Sequence, residues 1–429
     1  MTSSVVRPAT AEARPSVLAR EPAFWVLITL VGAGAVRMSE IAGRFLAAYP
    51  VATLTAVVLF ALLAVPFWLF VSELDFLERE PTGLLVVAFA WGGLVATTVS
   101  IPASAALDDL VAKLGSPHLA ADWGAALAGP AVEETAKTLG VVAVVLIARA
   151  QVNSVLDGIV YGAVVGLGFQ IVEDVVFALG AVSLAGQGDQ VRPVVATFLL
   201  RGFLSGVWSH TLFGALAGAG IGYLVVRRDR RPGRRIGVAL LAVLGAWASH
   251  VFWNSPLFTD GLGNGGLALL GVLLLKGMPP LLGILLLVRH VHDREADYYV
   301  GQLATIGDPE LITPGELAVL GSGSRRSAAR RHAAAHAGRQ AQAAVRRLQR
   351  AQARLAVELS RAAARPAGSG RADGFWRDEI RRQRAVLVEL GHPDAVTGPA
   401  TWRHTASTAG TVAVAVAVLW VALSALGGS

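Results

Sequence analysis

Apolar runs of about 20 residues recur along the chain, and as helices rising about 1.5 Å per residue each could cross about 30 Å of hydrocarbon. The pattern predicts nine spans, at 23–39, 50–72, 82–104, 122–148, 155–182, 196–226, 235–256, 265–289 and 408–427. The expected fold is therefore an all-α membrane protein, a polytopic helical bundle of about eight spans plus one C-terminal span. Four parts follow: a cytoplasmic tail at 1–22, a membrane domain at 23–289, a basic, largely helical cytoplasmic region at 290–407, and a C-terminal transmembrane helix at 408–427. Arg7, Arg14 and Arg20 run directly into a long apolar stretch, which reads as a first anchor rather than a removable signal.

Small residues mark how the spans pack. Gly158, Gly162 and Gly166 in the fifth span and Gly214, Gly218 and Gly222 in the sixth recur four apart, a smooth stripe that lets helix backbones approach closely in lipid. Glu173 lies two turns beyond Gly166, and His210 lies four residues before Gly214. Both side chains are expected to face the packed interior.

Composition agrees with a membrane solvent: 54% of the 429 residues are hydrophobic and 16% charged, too few polar groups to cover a soluble globule. The net charge of +7 sits in membrane-flanking loops and in the 290–405 segment. Anionic lipid headgroups rather than nucleic acid are its expected partners. The basic loop from Arg227 to Arg235 is placed in the cytoplasm by the positive-inside rule. Counting spans from it puts the N-terminus, Arg149 and residues 290–407 on the same side of a multi-pass protein of the cell membrane. Segment 290–405 is rich in Ala, Arg and Gln, good helix formers with no broad apolar stripe. There is no cysteine, so any metal would be held by His and carboxylates.

Charges inside spans carry the candidate chemistry. The fourth span contains Glu133, Glu134 and Lys137, each costing on the order of 2.5 kcal/mol at mid-membrane on insertion scales. An ion pair that pins helices would use one carboxylate and leave the other unexplained. Glu173 in span five is about 14 Å from the helix end, too deep to snorkel, and Asp174 points about 100° away. A single membrane histidine commonly serves as a hydrogen-bonding group. Two of them, His210 and His250, together with Glu133, Glu134 and Glu173, form the ligand set that zinc accepts without cysteine. Asn254, one turn after His250, can orient a water or donate to a developing oxyanion. Glu133, Glu173, His210 and His250 lie roughly 16, 14, 20 and 8 Å from the outer ends of their spans, so they share a level in the outer half. Arg37 and Asp157 read as interfacial anchors, Arg201 as snorkelling or paired with Glu173 or Asp174, and Lys276 as deep and without a named partner.

Glu133-Glu134-x-x-Lys137, Phe169-x-x-x-Glu173 and the later membrane histidines resemble the PrsW intramembrane metalloproteases, related to the CAAX-processing and bacteriocin-processing membrane proteases. The likeness covers roughly 85–290, and its last motif, His250-x-x-x-Asn254, has Asn where Asp is sometimes found. The resemblance implies an intramembrane endopeptidase that cuts a membrane-anchored protein substrate near the outer face, in regulated proteolysis of the anti-sigma-factor kind. It implies zinc or another divalent metal on Glu173, His210 and His250, with Glu134, or Glu133, as general base. Lys137 would set the charge of one glutamate, and Asn254 would stabilise the tetrahedral intermediate. The same residues would serve a metal-free reaction in which paired glutamates activate water. Two other classes fit buried Glu, Lys and His: an ion-coupled transporter, for which no internal repeat is visible, and a catalytically inactive scaffold, which need not keep the full set.

Overall fold

The computed structural model describes residues 20–74, 80–204, 209–258, 266–363 and 374–396, and all its regular structure there is helical. The expected last span and nearly all of the N-terminal tail lie outside these residues. Two compact units result, one holding residues 20–74 and 80–288, the other the described residues from 289 onward.

Proline begins several helices, where a fixed φ helps and no amide hydrogen is missed. In the membrane unit the order is α1 (Pro22–Ala48), α2 (Pro50–Leu74), α3 (Thr82–Leu114), α4 (Pro117–Ile147), α5 (Val155–Ala185), α6 (Arg192–Thr197), α7 (His210–Val226), α8 (Pro232–Asn254) and the part up to residue 288 of α9 (Gly266–Ala304), whose remainder belongs to the second unit. Six helices among the described residues are long and apolar enough to cross a membrane, within α1, α2, α3, α5, α8 and α9. α7 is apolar but has 17 residues. α4 has 31 residues and carries Glu133, Glu134 and Lys137.

At the centre is α5, buried without interruption from Val155 to Ile171. Such all-round burial requires apolar residues on every face rather than a stripe. Glycine makes it possible. A Cβ built on Gly158 would lie 2.4 Å from the Gly218 carbonyl oxygen, and one on Gly162 would lie 2.1 Å from that of Gly214. The two predicted stripes therefore pack against each other. A second bare contact joins α5 to α3, where a Cβ on Gly168 would lie 2.1 Å from the Phe89 carbonyl oxygen. On a further side, Ala52, Ala56 and Phe60 of α2 share a core with Leu167, Ile171 and Leu179. Asp189 caps α2, accepting from the amides of Val51 and Ala52 at 2.8 Å each.

Several expectations change. α3 continues ten residues past the predicted end and contains a π-helical turn, Trp91–Ala96. The predicted sixth span is not one helix: α6 passes into a second π-helical turn, Phe198–Leu204, and Ser209 has non-helical backbone (φ −107°, ψ −139°) before α7 starts at His210. The non-helical backbone at Ser209 ends the hydrogen-bond ladder that continuous hydropathy implies. Asp157 is no interfacial anchor. It is 1% exposed and closes a capping box with Ser154 at the start of α5. Arg37 lies well inside α1 and pairs with Glu40 at 2.8 Å.

The second unit contains α10 (Pro314–Leu320), α11 (Gly323–Ala363) and α12 (Gly374–Glu389). Contrary to the reading that it lacks an apolar stripe, it has a packed core of Ala329, Ala333, Ala341, Ala344 and Ala351 with Tyr299, Leu303, Leu348 and Leu355. α11 kinks at Ala337 and Gly338, the latter at φ 78°.

Candidate active site

Four helices bring the candidate residues together. Glu133 and Glu134 lie one turn after Pro130 in α4, and Lys137 follows one turn further on. Trp91 of the first π-helical turn steadies this stretch, its indole donating to the Ala136 carbonyl at 3.0 Å. Its ring also fills the space beside Gly140, where a Cβ would lie 2.4 Å from it.

Beneath the site lies a charged floor. Lys137, 1% exposed, donates to Glu134 Oε1 at 2.6 Å, and its Nζ is 2.8 Å from His210 Nδ1. Its ammonium also stands 4.6 Å from the centre of the Phe169 ring. His250 Nδ1 meets the same Glu134 Oε1 at 2.8 Å. A carboxylate accepts, so Nδ1 of His250 carries the hydrogen and Nε2 turns its lone pair elsewhere. By the same logic the ammonium donates to His210 Nδ1, and His210 Nε2–H donates to Glu173 Oε2 at 2.9 Å. Phe213 stacks on His250 with centroids 4.9 Å apart, and the two imidazoles stand edge to face at 4.9 Å.

Above this floor opens a cavity of about 350 Å³ lined by Glu133, Glu173, His210, His250 and Asn254 among others. Arg201, from the second π-helical turn, forms its side wall. It donates to Glu173 Oε2 at 2.6 Å and to Asp174 Oδ1 at 2.7 Å, while stacking on Phe177 at 3.9 Å. Of the alternatives for Arg201, pairing holds, with both carboxylates at once. Asn254 sits at the exposed mouth, its Nδ2 3.1 Å from the Ala125 carbonyl and 3.2 Å from His250 Nε2. Glu134 and Lys137 lie below the cavity and do not line it.

Three carboxylate oxygens of the site, Glu133 Oε2, Glu134 Oε2 and Asp174 Oδ2, are buried without a hydrogen-bond partner among the described residues. Of these, Glu133 Oε2 lies 3.9 Å from His210 Nδ1 and 3.8 Å from His250 Nε2. Suitable ligand atoms of Glu133, His210 and His250 all fall within 4.8 Å of one another. The site also holds four carboxylates, Glu133, Glu134, Glu173 and Asp174, against two fixed cations, Lys137 and Arg201. With neutral imidazoles two formal negative charges remain, the complement of a divalent ion. These residues fit such a metal.

Sequence reasoning left the partner of Lys276 unnamed. Lys276 is 4% exposed and donates to the carbonyls of Trp253, at 3.3 Å, and Ser255. It thus ties down the end of α8 that carries Asn254. Arg201 and Asp174 entered the reading only as minor candidates, because a cation near a predicted helix end is usually a membrane anchor.

Glutamates, histidines and a lysine gathered inside a polytopic helical bundle are the chemistry a membrane-embedded hydrolase needs. Residues 80–282, just under half of the chain, match the model of the PrsW family intramembrane metalloproteases, a match that supports an intramembrane peptidase. No curated protein and no solved structure matches the chain.

Proposed function

We propose that the protein cleaves a membrane-anchored protein substrate with a divalent metal, zinc by ligand chemistry, held by Glu133, His210 and His250. The observation that carries this reading is the buried, unpartnered Glu133 Oε2 beside two imidazole nitrogens. A cation bound there would supply Lewis acidity toward water and the scissile carbonyl.

The other residues take roles that their contacts support. Glu134 orients His250 through Nδ1–H, the carboxylate–imidazole arrangement that fixes a ligand's tautomer. Glu173 faces the cavity and is the best-placed proton acceptor for an attacking water, held by Arg201 and His210. This reading gives the ligand position to Glu133 and the base to Glu173, where the sequence suggested Glu173 as ligand and Glu134 as base. His210 Nδ1 must exchange Lys137 for the cation, leaving Lys137 to Glu134. Asn254, at the mouth, is positioned to donate to the carbonyl oxygen as negative charge develops. A cytoplasmic N-terminus, contacts of the basic loops with anionic lipid and a cut near the outer face in regulated, anti-sigma-factor-like proteolysis remain parts of the same proposal.

The test is bound-metal quantification plus cleavage of single-span reporter substrates in proteoliposomes. Glu133→Gln and His250→Ala should each lose metal and slow cleavage by about a thousandfold or more. Wild-type rates in both variants would sink the proposal, and full activity after exhaustive chelation would leave a metal-free glutamate reaction.

A further inference from the structure

The reaction assigned above needs a peptide bond that is not locked inside a helix, and α3 offers a means of holding one. Ser100, Ser104 and Asp108 follow one another four apart, so they form a single file along one face of α3. Ser100 is 4% exposed. Its hydroxyl, the Ser104 hydroxyl and Asp108 Oδ1 are all buried with no hydrogen-bond partner among the described residues. The Asp108 carboxylate lies against the bare backbone of Gly124 on α4, where a Cβ would come within 1.8 Å of Oδ1.

This file runs along the catalytic cavity. Ser104 and Asp108 line the cavity that holds His210 and His250, while Ser100 and Ser104 line a neighbouring, mostly apolar cavity of about 580 Å³. Ser104, Glu133, Glu173, Phe177 and Arg201 belong to both, so the two spaces adjoin at the proposed site. Unsatisfied polar groups at membrane depth are costly, and within a bundle they are tolerated where a partner can reach them. A helical substrate has its amides and carbonyls already paired within itself and offers these oxygens nothing. An extended segment offers both. Eight residues of α3 rise about 12 Å, the length of roughly four extended peptide residues.

We propose that Ser100, Ser104 and Asp108 form a subsite that binds the substrate's transmembrane segment as an extended strand, the hydroxyls and carboxylate pairing with its main chain beside the site. The selected class is then a single membrane span whose helix unwinds easily near the cut. The proposal rests on the peptidase reading.

Because the chain contains no cysteine, Ser104→Cys gives a unique reporter. Full-length protein carrying it, inactivated by His250→Ala, is reconstituted with a cleavable single-span reporter that bears one cysteine walked through its span, and disulfide formation is scored. Crosslinking at alternate positions over about four residues is expected; a three- or four-residue repeat, or none, overturns the subsite. In the active enzyme, Ser100→Ala with Ser104→Ala should raise KM about tenfold with kcat within about twofold. A glycine or proline placed beside the cut should recover most of that loss. An unchanged KM overturns the proposal. Should metal-loaded wild type cut none of a panel of single-span reporters, the peptidase assignment of the site falls and this inference with it; cleavage with helical crosslinking overturns only the subsite.

Discussion

Each unit buries a glutamate deeply, and the two are built in opposite ways. In the C-terminal unit Glu316, 1% exposed, is saturated: Oε2 accepts from the Thr313 amide, Gln352 and Arg384, and Oε1 accepts from the Ala395 amide and Arg384. In the membrane unit Glu133 is 8% exposed and one of its oxygens faces two imidazoles with no hydrogen-bond partner among the described residues. Burial alone therefore does not mark function. A satisfied buried carboxylate is a structural tie, whereas an unsatisfied oxygen aimed at two imidazole nitrogens implies a partner that arrives from outside. The surfaces are inverted as well. Leu184, Leu241 and Leu286 lie open on the membrane unit as its lipid-facing side, while the C-terminal unit keeps its leucines inside.

The sharpest way to break this comparison is to neutralise both glutamates. Glu133→Gln should cost about three orders of magnitude in cleavage, yet leave the thermal unfolding of metal-free protein unchanged or slightly raised, since it removes an unpaired buried charge. Glu316→Gln should leave the chemistry alone and destabilise its unit by about 3 kcal/mol, seen as faster hydrogen exchange in α10 and α12. If Glu133→Gln destabilised as much as Glu316→Gln, the distinction would collapse.

Glycines sharpen it next. Gly162→Leu must displace the Gly214 carbonyl and should destabilise the membrane unit by about 3 kcal/mol, enough to reduce folded yield. Gly301, in α9 within the C-terminal unit, has open space where its Cβ would be. Gly301→Ala should be neutral or stabilise by up to about 1 kcal/mol. Equal outcomes at the two sites would mean that the α5–α7 approach is not as close as described.

What could be read from the chain follows the same division. Membrane charges are expensive, so Glu133, Glu134, Lys137, Glu173, His210 and His250 drew attention without any structure, as did the two glycine stripes. Serine is cheap in a helix and gave no signal at Ser100 or Ser104. Nor could hydropathy show the backbone break at Ser209, which is a matter of backbone dihedrals. In the C-terminal unit the difficulty is alanine, which is the best helix former and also fills this core, so propensity hid the apolar face that Ala329, Ala333, Ala344 and Ala351 provide.

A smaller effect is expected where a cation holds a helix end in each unit. Lys276 serves the carbonyls at the end of α8, as Arg326 serves the Leu320 carbonyl at the end of α10, at 2.6 Å. Lys276→Met keeps the volume but frees the segment bearing Asn254. Cleavage should fall about tenfold with bound metal unchanged. Loss of metal instead would place Lys276 closer to the ligands than its contacts indicate.

The smallest effect tests the rule itself, because the C-terminal unit also buries His392 Nε2 without a hydrogen-bond partner among the described residues. The His392 ring centre lies 5.4 Å from that of His332, which lies 4.0 Å from that of His336 at a tilt of 51°. Burial, then the neighbouring His332 and His336, hold its pKa below the ordinary histidine value. Neutral imidazole nitrogen loses far less on desolvation than a carboxylate, so this orphan needs no ligand. It should show instead as pH dependence. A depressed folded-state pKa gives stability that is complete above the unfolded value of about 6.5 and is lost as pH falls through the folded one. Hydrogen-exchange protection over 390–396 should therefore drop on acidification from about pH 7.5 to about pH 5.5, by less than about tenfold, and His392→Phe should abolish the slope. A flat profile in the wild type would mean that His392 is solvated. Strong metal binding that disappears in His392→Phe would extend to this histidine the rule drawn from Glu133.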